Sequence, residues 1–194
     1  MSKKPPLQNL GFKWWEHVTT PVESMAPSLL TGILIMGIIW LVYRFSHIKI
    51  LDRFVCSKKI MLVWLLFISY VIVVIETAFF SREPGSRKQV SLKLLETWGN
   101  TFQMHAYFLE NIIMFIPFGI LLPVLFRHMR KMKYCVATGF CCSCLIEAVQ
   151  FITQRGFLQV DDVVTNTAGA LGGWLIWCLI GRFWEVKGVR HLNY

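Results

Sequence analysis

The sequence predicts an all-α integral membrane protein, a bundle of about five transmembrane helices with interfacial amphipathic helices. Three observations carry the prediction. The 194 residues are 55% hydrophobic and only 16% charged, a balance too apolar for a soluble globule. Five apolar runs approach or reach the roughly 20 residues that a helix needs to cross the hydrocarbon layer. The excess of 20 Lys and Arg over 11 Asp and Glu collects largely in the connections, as in basic loops facing anionic lipid. No basic stripe interleaved with stacking aromatics occurs, which argues against nucleic acid as a partner and leaves membrane lipids as the expected one.

Residues 1–27 place Leu7, Leu10, Trp14 and Val18 at roughly helical spacing, which predicts a short helix lying in the membrane interface. Pro21 and Pro27 are expected to break the chain before the first apolar run. The remainder, residues 28–194, reads as one transmembrane helical domain. Its spans are Ser28–Phe45, Ile60–Phe80, Phe108–Phe126, Tyr134–Thr153 and Val163–Trp184. Pro117 and Pro123 predict a kink or local break in the third. In the fifth, Gly169 and Gly173 form a GxxxG pair, best read as packing against a neighbouring helix. The segment Val90–Tyr107 alternates apolar and polar residues at three-to-four spacing and reads as an amphipathic or re-entrant piece over one mouth of the bundle. Cysteines 135, 141, 142, 144 and 178 fall inside apolar runs, where Cys packs as a small hydrophobe rather than forming a disulfide framework.

Counting Lys and Arg outside the spans, with the helix-end Arg44 and Arg182 assigned to the adjoining connection and tail, gives eight on the side of the N-terminus and twelve on the other. The positive-inside rule then places the N-terminus outside and the C-terminus in the cytoplasm. With this orientation the polar residues of four spans meet at the outer end. The second span ends with Glu76 and Arg82, and the third begins with Glu110 and Asn111. The fourth ends with Glu147 and Gln150, and Arg155 follows in the loop. Asp161, Asp162 and Asn166 open the fifth. Glu147 and Gln150 share one helical face, as do Asp162, Asn166, Gly169 and Gly173. Polar groups at this depth need a partner, a water-filled cavity or a function, so this cluster is the candidate site.

Three blocks of the sequence then resemble the VanZ-like family of small bacterial membrane proteins. They are TAFFSR at 77–82, NIIMFIPFGILLP at 111–123, and the run from Glu147 to Gly173 with its ExxQ, RG and DDxxxNTxG elements. The resemblance covers about 60–184, and residues 1–59 carry none of its blocks. The family's polar positions fall on Arg82, Asn111, Glu147, Gln150, Arg155, Asp162 and Asn166. The resemblance implies a bacterial cytoplasmic-membrane protein whose namesake lowers susceptibility to the glycopeptide teicoplanin.

Three roles for the cluster follow from its chemistry. As a binding site, the Arg forks would take phosphate or carboxylate of a cell-wall lipid, a peptidoglycan precursor or a lipid-tailed glycopeptide. The carboxylates and amides would orient those forks and accept from sugar or peptide groups. As an enzyme acting on a polyprenyl- or phospholipid headgroup, Glu147, Asp161, Asp162 and Glu110 would supply a general base or hold Mg²⁺ or Ca²⁺. The chain has no GxSxG, HExxH or recognisable Cys–His spacing, and no cofactor is expected. As a purely structural device, the same groups would satisfy one another and fix helix register. In that case Arg155 would pair with Asp161 or Asp162, Glu147 with Asn166, and Asp162 would serve as an N-cap. A transporter is disfavoured by five helices without a repeat.

Overall fold

The computed structural model describes residues 14–46, 57–80, 90–91, 102–156 and 158–186. Helix α1 spans Trp14–Ser46 and α2 spans Lys58–Ile75, continuing as a π-helical turn over Glu76–Phe80. Strand β1 is Val90–Ser91, and α3 is Phe102–Leu125. A 3-10 turn at Arg127–Arg130 leads to α4, Met132–Ile152. Strand β2, Leu158–Gln159, opens directly into α5, Val160–Val186. Among the described residues, five helical stretches are long and apolar enough to cross a membrane: Met25–Arg44, Lys58–Phe80, Tyr107–Leu125, Met132–Ile152 and Val160–Gly181. These match the five expected spans to within a few residues.

Local chemistry accounts for the helix ends. Ser57 sits in extended conformation before α2, and its hydroxyl accepts the Ile60 N–H at 3.2 Å, an N-cap in the expected register. At the end of α4, Gln154 adopts φ 56°, the left-handed region. The Arg155 N–H reaches back to the Gln150 carbonyl (2.9 Å) and the Gln154 N–H to that of Phe151 (3.2 Å), the bond pair of a Schellman cap. A β-carbon in that conformation costs roughly 1–2 kcal/mol. Gln154→Gly is therefore expected to stabilise the protein by about 1 kcal/mol, read as a higher melting temperature in detergent.

The breaks expected at proline are corrected. Helix α1 runs unbroken through Pro21 and Pro27, and α3 through Pro117 and Pro123. In a membrane bundle neighbouring helices and side-chain hydroxyls supply what the lost bonds do not, so proline is tolerated where a soluble helix would end. Segment 90–107 is described only at its two ends. Its first two residues are β1, residues 92–101 lie outside the described residues, and Phe102–Tyr107 belong to α3.

The core forms where α3, α4 and α5 meet, around Phe115, Phe118, Leu122, Cys135 and Ala170. Helices α3 and α5 make the tightest contact. A β-carbon built on Gly169 would collide with the Ile112 carbonyl, one on Gly173 with that of Ile116, and one on Gly119 with that of Ala170. Both residue numbers rise together, so α3 and α5 are parallel, as alternate spans must be. The GxxxG pair is thus a packing device within one chain, as its sequence context suggested. Helix α2 joins through Trp64, which meets Phe126 edge-on at 5.7 Å. Helix α1 packs mainly on α2 and leaves Leu30, Leu34 and Ile38 more than half exposed, a surface suited to hydrocarbon.

Candidate functional site

Of the polar groups predicted to meet, Glu147, Gln150 and Arg155 bond to neighbouring elements at the end of the bundle where α2 and α4 finish and α3 and α5 begin. The carbonyls of the last turn of a helix have no partner within it, and here that turn is π-helical, a form that recurs at functional sites. Two side chains from the α4 end take them. The Gln150 amide donates to the Ala78 carbonyl at 2.9 Å, and the Arg155 guanidinium donates to the Phe79 carbonyl. Arg155 also lies 5.7 Å from the centre of the Phe80 ring. Gln150 is buried, and Gln150→Leu would leave a carbonyl unsatisfied in an apolar setting. The expected cost is about 1–3 kcal/mol, measurable as a lower denaturation midpoint in detergent.

Glu147, one turn earlier on the same face of α4, bonds to a different element. Its Oε2 accepts the Gln159 N–H at 2.9 Å, immediately before α5 begins. The carboxylate thus satisfies a backbone donor at the positive end of a neighbouring helix, a charge-assisted bond. On the far side of this connection, β2 pairs in parallel with β1, Val90 opposite Leu158 and Ser91 opposite Gln159. The loop after α2 and the loop after α4 are therefore stitched together over the polar end.

Helix α5 places Asp161 and Asp162 at its second and third residues. The expectation that Asp162 caps the helix is corrected: the helix starts two residues earlier, and both carboxylates lie in its first turn, where the dipole favours them. Their main-chain carbonyls share the Thr165 hydroxyl, at 2.9 and 3.1 Å. Asp161 is the buried member at 4% exposure, and Asp162 is half-buried. One turn deeper, the Asn166 amide donates to the Ser143 hydroxyl at 2.8 Å. Both side chains are buried, and the Asn166 Oδ1 is buried without a hydrogen-bond partner. Ser143 is a site residue that sequence reasoning missed. Its position four before Glu147 places it on the same face, which is the signal that would have found it.

The remaining candidates are less central. Glu76 starts the π turn and is half-buried; Glu110 and Asn111 are half-buried near the start of α3. The contact of Ile112 with Gly169 brings those two residues to the level of Asn166. Arg82 lies outside the described residues. Among the described residues, no three His, Cys, Asp or Glu side chains group closely enough to hold a metal ion.

Protein VanZ of Enterococcus faecium is 31% identical over 101 residues, 52% of this chain and 60% of that protein. The match therefore spans about three fifths of that relative's length. No solved structure matches the chain at a significant level. A family model described as VanZ/LLP1 matches residues 29–181 and so takes in most of α1, which the sequence blocks had left aside. Since the matched span holds four of the five apolar stretches entire, most of the first and every described residue of the polar end, the chain belongs to the VanZ/LLP1 family.

Proposed function

We propose that this chain lowers susceptibility to lipid-tailed glycopeptide antibiotics of the teicoplanin class. It would act in the bacterial cytoplasmic membrane, N-terminus outside and C-terminus in the cytoplasm. The polar end would face outward and engage a cell-wall lipid, a peptidoglycan precursor or the antibiotic. Membership of the VanZ/LLP1 family and the likeness to Protein VanZ support the phenotype. The observation that carries the site is the burial of Glu147, Gln150, Asp161 and Asn166 at one end, with the Asn166 Oδ1 unpartnered. A buried acceptor without a donor calls for an explanation, and a bound ligand group would supply one. In this reading the Asn166 carbonyl accepts a hydroxyl or amide of the ligand. Arg82 and Arg155 meet its phosphate or carboxylate, and Asp161 and Asp162 orient those groups.

The site and its orientation are tested separately. Gln154 is exposed in the turn after α4, and Gln154→Cys in a cysteine-free background gives a probe there. A membrane-impermeant maleimide is expected to label it on intact cells; labelling only after the membrane is opened would reverse the orientation. For the site, Asp162→Asn keeps shape and removes charge. Teicoplanin resistance is expected to drop to the level of cells without the protein, at unchanged membrane abundance. Full resistance in this variant, together with full resistance in Glu147→Gln, would reduce the cluster to a structural role.

A further inference from the structure

The opposite end of the bundle carries a second feature, unconnected with the polar cluster. The 3-10 turn and the start of α4, residues 127–133, hold Arg127, His128, Arg130, Lys131 and Lys133, and no Asp or Glu occurs anywhere from Asn111 to Ile146. Arg130 is turned inward, its Nε toward the Pro123 carbonyl at 3.4 Å, and its own carbonyl accepts the Trp174 indole N–H at 3.1 Å. These bonds fasten the turn to α3 and α5. Arg127, His128, Lys131 and Lys133 are exposed. Lys133 lies 5.0 Å from the centre of the Tyr134 ring, which holds the ammonium beside an amphipathic aromatic.

Directly below this basic rim, a groove of about 420 Å³ runs along the outer face of α4. It begins at His128 and Tyr134 and continues over Ala137 and Cys141 to Leu145. Residues 134 to 145 cover roughly 16 Å of helix axis, about half of the ~30 Å hydrocarbon layer and so the depth of one leaflet. The groove is therefore apolar for the length of one acyl chain and cationic at the level of its headgroup.

We propose that this groove is a binding site for an anionic phospholipid. The phosphate sits among Arg127, His128, Lys131 and Lys133, and one acyl chain lies along Ala137, Cys141 and Leu145. Charge complementarity selects the occupant, because a zwitterionic headgroup gains little from a rim with no local acid to balance it. The uncapped start of α4 adds its positive end to the same rim, since no side chain caps its first turn.

The test is native mass spectrometry of the full chain in detergent micelles doped with equal amounts of dioleoyl-phosphatidylglycerol and dioleoyl-phosphatidylcholine. The wild type is expected to retain the phosphatidylglycerol about tenfold more than the phosphatidylcholine. The triple variant Arg127→Gln, Lys131→Gln, Lys133→Gln is expected to bring that ratio near one. Ala137→Trp, which fills the groove and leaves every charge in place, is expected to lower phosphatidylglycerol retention several-fold. Equal retention of the two lipids by the wild type would overturn the proposal. So would an unchanged ratio in a triple variant that still melts cooperatively. Should that variant not fold, unchanged retention in Ala137→Trp overturns it alone. Displacement of the lipid by an equal concentration of free glycerol phosphate would assign the rim to soluble phosphate and also overturn it.

Discussion

Gly173→Leu is expected to destroy the contact between α3 and α5 and with it the folded bundle. The reason is that backbone meets backbone there. A β-carbon at this position would strike the Ile116 carbonyl oxygen and come within 2.9 Å of the Gly119 Cα, and neither can swing aside as a side chain does. Reciprocally, a β-carbon on Gly119 would strike the Ala170 carbonyl, so both partners lack room. Relief requires the helices to separate, which breaks the packing of Phe115, Phe118 and Ala170 along the same seam. Without a hydrophobic drive between helices in lipid, this close contact is a main source of association. The expected cost is about 3 kcal/mol or more, the upper end for overpacking. It would be read as a lower midpoint in denaturing-detergent titration and as loss of membrane abundance. Gly172→Ala is the control. Nothing lies within 4 Å of its added carbon, so stability is expected to change by less than about 1 kcal/mol, in the stabilising direction. Equal damage from both substitutions would show that helix flexibility, rather than close approach, is what these glycines supply.

Glu147→Gln separates the structural and functional readings of the polar end most sharply. The carboxylate accepts the Gln159 N–H at 2.9 Å, and the carbonyl oxygen of glutamine can accept the same bond. Folding is therefore expected to survive at a cost of about 1 kcal/mol, the difference between a charge-assisted and a neutral bond. If the proposed function holds, teicoplanin resistance is expected to vanish, because the negative charge at the polar end is gone. Glu147→Leu leaves the N–H orphaned at the mouth of α5 and is expected to cost about 2 kcal/mol and lower abundance as well. Resistance by Glu147→Gln at wild-type strength and abundance would make this residue a tether between α4 and α5 and nothing more.

The hydrogen bonds of this region explain why Arg155→Ala would be a weaker test. Arg155 holds the end of α2 through the Phe79 carbonyl, so its loss affects structure whatever else it does. The pairing of Glu147 with Asn166 that a purely structural cluster would make is not the one found: Glu147 serves a backbone N–H and Asn166 serves Ser143. In an apolar bundle, interrupted main-chain segments at helix ends are the largest source of unmet donors and acceptors. Polar side chains are drawn to them first.

The sequence by itself determined the number of spans, their limits within a few residues and the presence of the polar end. Each of these follows from one-dimensional properties: hydrocarbon thickness sets run length, and helical periodicity sets which residues share a face. It also contained the GxxxG contact, because only small residues let two helix backbones touch. What it did not contain were the π turn at Glu76–Phe80, the pairing of β1 with β2 and the unbroken helices through four prolines. Nor did it pair Ser143 with Asn166. These depend on which groups stand opposite one another once α2, α4 and α5 have packed. Whether a proline breaks a helix or a carbonyl finds a donor is decided by neighbours remote in the chain, and local spacing carries no record of them.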